Sequence, residues 1–494
     1  MQLALFLLPG ALLLPGALLL PGALPLAAAA ETVLGAYIFH RHGDRTTKSY
    51  SPVIFTPLGA EQVFSSGSWY RSRYVAADSL SKINGIASDI ALLSQLAVTS
   101  PIDNVLQSSA QVFLQGLYPP AGSVSAQKLA NGTTVNSPLN GYQYIPVNAV
   151  TAAASSKNSE ETGWLQGGSG CSNAVASSNN YFYSTEYFTT LSNTQTFYQS
   201  LLPVYNTTFP ADKANFKNAY TIYDYVHVSQ IHNDSSTIPS NDLLTPSTLS
   251  QLSGLASTHE WNLAYNITDP VRAIAGSVLA AQILQSLDST LSAPITKRSA
   301  QKLTIQFGPY GTFMSFFGLS QAPAASDEFY GIVDYASSMT FELVTNATLS
   351  SDTATISPDD VSVRFLFVNG TASAANPPRA FPLFGQKEST LPWKTFTAEM
   401  NKFAIGTTEA WCHACGDVLG TCPSGSSVSA QSGDGGSSGG ISRPVAGVIG
   451  ALVTLAVILG LEGLILLVAG LRLVKKKTLS KEISNNEVAH TSKA

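Results

Sequence analysis

Charge is what this chain has least of: 26 Lys and Arg and 31 Asp and Glu among 494 residues make up 12% of the sequence and leave a formal net charge of −5. A nucleic-acid binder needs a cationic face, and a disordered solvating chain needs high net charge with few apolar groups, so both classes are excluded. Cysteine is scarce as well, at four residues. A chain of this length is no small disulfide-stapled scaffold, and since domains rarely grow beyond about 250–300 residues without splitting, more than one structural unit is expected.

Residues 1–30 contain no Lys or Arg, yet they are strongly apolar, with a repeating LLLPGA unit that runs into Ala28-Ala29-Ala30. The apolar run and small residues predict a signal peptide with the mature chain starting near Glu31. Retention as a membrane span is the rival, opposed by Pro9, Pro15, Pro21 and Pro25, each of which removes a helical donor. Val445 to Leu471 is almost wholly apolar and is followed by Arg472, Lys475, Lys476 and Lys477. A bilayer needs about 20 such residues, and the basic cluster marks the cytosolic side, so a transmembrane helix at 444–471 with a cytosolic tail at 472–494 is expected. A GPI signal would end in its hydrophobic stretch, whereas a polar tail continues here to Ala494. Glu462 is the one acidic group in the span.

The sequons at Asn131, Asn206, Asn233, Asn266, Asn346 and Asn369 all precede that span, which agrees with a single-pass type I protein whose ectodomain is luminal or at the cell surface. In such a compartment Cys171, Cys412, Cys415 and Cys422 favour two disulfides, with three connectivities open. Trp411-Cys412-His413-Ala414-Cys415 also mimics a thioredoxin-like motif, and three Cys with His413 would make a zinc site. Residues 423–443 are a Ser/Gly-rich linker.

The ectodomain at 31–422 mixes strands with helices. Strands are predicted at Thr32 to Phe39, Leu303 to Phe307, Thr340 to Val344 and Val361 to Val368, all rich in β-branched and aromatic residues. Helices are predicted at Pro57 to Val75, Val105 to Leu117 and Val271 to Leu287. The class is α/β. The interval 121–261, richer in Ser, Asn and Tyr, reads as an inserted, mainly helical cap.

The first strand runs into Arg41-His42-Gly43-Asp44-Arg45. Phosphoryl transfer needs cations converging on the phosphate oxygens, a nucleophile in line and a proton for the leaving oxygen. Arg41 and Arg45 offer the cations and His42 the nucleophile, an imidazole that needs no metal or other cofactor. With FTPLGAEQVFSSGSWYRSRYV at 55–75, QSSAQVFLQGLYPP at 107–120, GYQYIPV at 141–147 and YASSMTFEL at 335–343, the chain resembles the histidine acid phosphatase family of the histidine phosphatase superfamily. The resemblance implies a phosphoglycerate mutase-like α/β core, a helical cap, phosphate bound by Arg41 and Arg45, and a phosphohistidine at His42.

Two departures stand out. Where the family has a third phosphate-binding arginine this chain has Thr99 and Ser100, and where it has a His-Asp pair, one binding phosphate and one protonating the leaving group, this chain has Pro309 and Tyr310. Asp327, Glu328 and Asp334 are the downstream carboxylates, the candidates to replace that acid. Two functions follow: a membrane-anchored acid phosphatase working through His42, or a catalytically inactive module holding a phosphomonoester or other anionic ligand through Arg41 and Arg45.

Overall fold

The structure is a computed structural model and describes residues 31–150, 170–294, 299–349, 355–416 and 422. The signal peptide at 1–30, the linker at 423–443, the span at 444–471, the tail at 472–494 and part of the cap lie outside the described residues. Among the described residues no helix is long and apolar enough to cross a membrane.

Beside a two-stranded pair at Gln127–Lys128 and Thr134–Val135, the strands of the main sheet in chain order are β1 (Thr32–Arg41), β2 (Leu96–Pro101), β3 (Asn148–Val150), β4 (Leu303–Gly308), β5 (Ser338–Thr345), β6 (Val361–Val368), β7 (Arg379–Ala380) and β8 (Thr390–Pro392). They form one sheet in the order β8-β6-β5-β1-β4-β2-β3, with β7 also on β6. The β1, β4, β2 and β3 half is parallel and the β5, β6, β8 half antiparallel. β1 sits at the changeover, and beyond Thr32 every residue in it is buried. A strand covered on both faces reads as a nearly unbroken apolar run, which is why TVLGAYIF was legible.

Alternation along β1 sends Ala36 and Ile38 to one face and Tyr37 and Phe39 to the other. The first face packs on α1 (Pro57–Tyr70) and α2 (Asn104–Leu117) through Val63, Tyr70, Phe113 and Leu117. After α1 the chain continues as a π-helical turn at Arg71–Val75.

Four helices of the intervening segment follow: α3 (Ser172–Asn180), α4 (Thr185–Ser200), α5 (Ala219–His232) and α6 (Pro246–Ala264). The last three enclose a separate core that includes Tyr187, Tyr198, Phe216, Ile222, Val226 and Leu252, while Ala174 of α3 packs among the cysteines. Thr245 caps α6 by accepting from the Thr248 N–H at 3.2 Å, with Pro246 at its first position. The other face of β1 is covered by α7 (Ile274–Ser292) and α8 (Tyr310–Leu319) through Leu279, Ile283, Phe313 and Phe317. Each of these fully buried side chains contributes about 1.5–3 kcal/mol. Helices on both faces of a mixed sheet are the α/β arrangement expected.

α9 (Trp393–Met400) and α10 (Thr408–Cys415) close the described chain. Cys171 pairs with Cys415 and Cys412 with Cys422. The two cysteines of the WCHAC run lie on one helix and bond to different partners, so the redox-motif reading does not hold here; the four sulfurs pack in a small cluster with Ile274, Val278 and Trp411.

Candidate active site

Parallel pairing aligns Arg41 with Gly308 and Thr99 with Gln306. The residues that follow β1 and β4 therefore emerge at one edge of the sheet, beside the end of β2. His42, Pro309 and Ser100 share that edge, the carboxyl ends of parallel strands where open α/β sheets place their sites. The loop after β1 folds back on itself, with Thr46 N–H donating to the Ile54 carbonyl at 2.9 Å and Thr56 N–H to the Asp44 carbonyl at 3.2 Å. It is pressed against the start of α1: a Cβ at Gly43 would lie 2.3 Å from the Gly59 carbonyl oxygen, and one at Gly59 2.2 Å from that of Asp44. Any side chain at either position would push the nucleophile loop off the helix.

His42 is 1% exposed. Its Nδ1 lies 2.8 Å from the Gly43 carbonyl oxygen, which can only accept, so Nδ1 carries the hydrogen and the neutral ring keeps its lone pair on Nε2. Burial, then the charges of Arg41 and Arg45, push the imidazole well below its ordinary range. The ring stays neutral in acid.

The two arginines differ. Arg41 donates to the Val333 carbonyl and lies over the rings of Tyr335 and Tyr310, at 4.7 and 5.3 Å from their centroids. Arg45 is wholly buried and ion-paired to Asp224 on α5 at 2.9 Å, while donating to the Tyr220 hydroxyl and the Thr46 carbonyl, each at 3.0 Å. Asp224 also accepts from the Thr47 hydroxyl and the Lys48 N–H, both at 2.8 Å. Burial alone would raise its carboxyl, but Arg45 and those hydrogen bonds hold it below the ordinary carboxylate range.

α5 thus lies along the loop, with Tyr220, Asp224 and His227 following helical spacing on one side. His227 stacks on Tyr223 with ring centroids 5.3 Å apart and lies 5.9 Å from Tyr335, whose ring is 5.6 Å from that of His42. At the end of α5, His232 Nε2 is 2.7 Å from Asp44 Oδ2, which also accepts from the Thr56 hydroxyl. None of these α5 residues was singled out in the sequence. The available signal was a Tyr, an Asp and a His at helical spacing inside an otherwise apolar pattern.

At the end of β2, Ser100 is buried and its hydroxyl donates to the Pro101 carbonyl at 3.2 Å. The strand itself, LAVTSP, carries no Lys or Arg. Pro309 caps α8, and Tyr310 behind it donates its hydroxyl to Glu260 Oε2 on α6 at 2.8 Å. Burial, then the Glu260 charge, raise the Tyr310 hydroxyl well above its ordinary range, so it holds its proton. Of the downstream carboxylates, Glu328 is paired with Arg379 at 2.6 Å, Asp327 is exposed, and Asp334 is exposed next to Tyr335. Among the described residues no group of three His, Cys, Asp or Glu could hold a metal ion.

The sequon residues Asn131, Asn206, Asn233 and Asn346 are exposed, while Asn266 and Asn369 are half-buried. Asn369 Oδ1 accepts from the Asp334 N–H at 2.8 Å and the Ser337 hydroxyl at 3.1 Å, and so pins the segment that carries Tyr335.

The family model of the histidine phosphatase superfamily, branch 2, matches residues 49–368, beginning just past Arg45. Among solved structures, a phytase from Klebsiella sp. ASR1 is similar at 10% identity and a TM-score of 0.52, covering 77% of this chain and 98% of that one. A Citrobacter braakii phytase follows at 14% identity and 0.49, covering 78% and 99%, and a Hafnia alvei phytase solved with myo-inositol hexakis sulphate at 12% and 0.49, covering 79% and 99%. These likenesses concern the fold. No curated protein matches the sequence.

Proposed function

The chain belongs to the histidine phosphatase superfamily, branch 2, and from that premise we propose that it hydrolyses phosphomonoesters through a phosphohistidine at His42, on an ectodomain held at a membrane. The observation that carries this reading is the state of His42: buried, neutral, with Nδ1 committed to the Gly43 carbonyl and Nε2 left to attack. Attack forms the Nε2–phosphorus bond and breaks the bond to the ester oxygen, which departs as the alcohol or phenol; water then cleaves the phosphohistidine to inorganic phosphate and free His42. Arg41 and Arg45 bind the phosphate in this reading. Arg45 would do so by sharing its charge between the phosphate and Asp224, which makes its grip weaker than that of an uncompensated arginine.

Without a third arginine at Thr99 and Ser100 or a His-Asp pair at Pro309 and Tyr310, the leaving oxygen decides the rate. Losing a general acid typically costs about 10²- to 10⁴-fold, so aryl esters, whose phenolates depart with little help, should be favoured over alkyl esters. Measuring both, with His42→Ala as control, tests the reading; hydrolysis indifferent to His42 would end it.

A second reading is favoured by the Arg45–Asp224 ion pair and the Tyr310–Glu260 bond: an inactive module that holds an anionic ligand without turnover. The same His42→Ala comparison separates the two. For the chain as a whole we propose a signal peptide at 1–30, a glycosylated ectodomain at 31–422 with its cap at 121–261, a linker at 423–443, and a type I span at 444–471 with residues 472–494 in the cytosol. The disulfides Cys171–Cys415 and Cys412–Cys422 and the exposed sequons support an oxidising, luminal or extracellular side.

A further inference from the structure

Resting on the hydrolytic reading above, we infer that His227 is the general acid of this site and protonates the leaving oxygen from α5, taking over the work of the aspartic acid whose position Tyr310 occupies. Of the groups around His42 that carry a proton or a carboxyl, Tyr335 holds its hydroxyl proton because burial raises it above its ordinary range, and those that follow are otherwise engaged. Tyr310 is bound to Glu260, which also contacts His259 Nδ1 at 2.8 Å; Tyr220 holds Arg45; Asp224 is spent on Arg45, Thr47 and Lys48; Asp44 is fully buried between Thr56 and His232. The nitrogens of His227 make no hydrogen bond to any described residue, and its ring is half-buried.

Its place fits the task. His42 and His227 pack against the same Tyr335 ring, with centroids at 5.6 and 5.9 Å, and Arg41 lies over that ring at 4.7 Å. An in-line displacement puts the leaving oxygen on the side of phosphorus away from His42. The half-buried His227 and the exposed Asp334 have the access to solvent that a departing group requires, whereas His42 is 1% exposed.

The step balances: the His42 Nε2 lone pair forms the nitrogen–phosphorus bond, the phosphorus–oxygen bond breaks, and the imidazolium proton of His227 passes to the departing alkoxide to give a neutral alcohol. In the second half-reaction the now neutral His227 takes a proton from the water that attacks phosphohistidine, which returns both rings to their starting states.

The charged and titratable groups that face His227 are Tyr223 and Asp224 on its own helix, Asp334 and Tyr335 before β5, Arg41 at the end of β1 and Asp44 in the motif loop. Burial sets the direction and lowers the imidazole below its ordinary 6.5, Arg41 adding to this while Asp334, Asp224 and Asp44 oppose it. His227 is therefore charged only in acid, and the chemistry it supports belongs to an acid phosphatase.

The test is single-turnover phosphorylation of His42 in the full-length protein, followed by rapid quench with glycerol 2-phosphate and with p-nitrophenyl phosphate across acidic pH. His227→Gln is expected to slow phosphorylation by the alkyl ester by about 10²-fold more than by the aryl ester, and to abolish the rise of the alkyl rate in acid. Asp334→Asn, an exposed change with little risk to folding, is expected to move that rise to lower pH. Equal slowing of both esters by His227→Gln, or an unmoved acid limb in Asp334→Asn, would overturn the assignment and leave the phosphohistidine reading standing. Absence of any His42-dependent phosphorylation in the unmodified protein would overturn both.

Discussion

Lowering the pH should destabilise this protein through one imidazole beside the motif, by an amount the structure sets. His40 is 0% exposed on β1, wedged against Phe113 and Phe307 with ring centroids at 5.1 Å each, and its Nδ1 lies 2.6 Å from the Arg41 carbonyl oxygen. Its Nε2 has no partner among the described residues. Burial, partly offset by the Arg41 carbonyl, takes it from 6.5 down to about 4. The unfolded chain binds the proton near pH 6.5 while the folded chain refuses it until about pH 4, so between those values unfolding takes up a proton and stability falls as the pH falls. One pKa unit corresponds to about 1.36 kcal/mol, which makes the loss from His40 alone roughly 3 kcal/mol between neutral pH and pH 4. His42, depressed for the same reason, adds to the loss in the same direction. Urea unfolding followed by tryptophan fluorescence at pH 7 and at pH 4.5 measures it. The variant His40→Leu keeps an apolar fill and removes the titration, so its stability should drop by about 2 to 3 kcal/mol less than that of the unmodified protein over the same interval. An equal drop in both would mean that His40 is not the group refusing the proton, and the burial argument would fail.

Asp224→Asn should leave Arg45 buried without its counter-ion, a change that typically costs about 3–5 kcal/mol; inorganic phosphate should then raise the melting temperature of the variant more than that of the unmodified protein, and an equal shift would mean that phosphate does not reach Arg45. Arg41→Ala should raise the calorimetric dissociation constant for phosphate by about tenfold or more, as expected of a charge-assisted hydrogen bond of about 1.5–3 kcal/mol, and unchanged affinity would move the anion site away from the loop. Protease added outside intact cells should release a glycosylated fragment and leave a protected tail beginning near Arg472; a digested Lys475 to Ala494 segment would reverse the topology.

Much of the scaffold was readable because its signals are local. β1, β4, β5 and β6 are buried apolar runs, and α1, α2 and α7 repeat their apolar residues at helical spacing, so each was placed within a few residues. β2 was not, because LAVTSP is short, carries polar residues and ends in proline. The motif announced His42, Arg41 and Arg45 as candidates, but not what would surround them. The partner that neutralises Arg45 lies 179 residues further along the chain at Asp224, and the hydroxyl of Tyr310 finds a carboxylate on α6. Such contacts depend on how α5 and α6 settle over the sheet edge, which no local pattern encodes. The disulfides were hidden for the same reason: four cysteines allow three pairings, and the choice rests on where Cys171 lands against α10.

The central claim is that His42 still attacks phosphorus, and it meets its most direct test in the covalent intermediate. The unmodified protein is incubated with an aryl phosphate at acidic pH, quenched in alkali, where phosphohistidine survives, digested and read by mass spectrometry without acid. A phosphoryl group on His42, absent from His42→Ala, is the result expected. An unlabelled His42 under conditions that label a competent histidine phosphatase would contradict the account and leave the anion-holding module in its place.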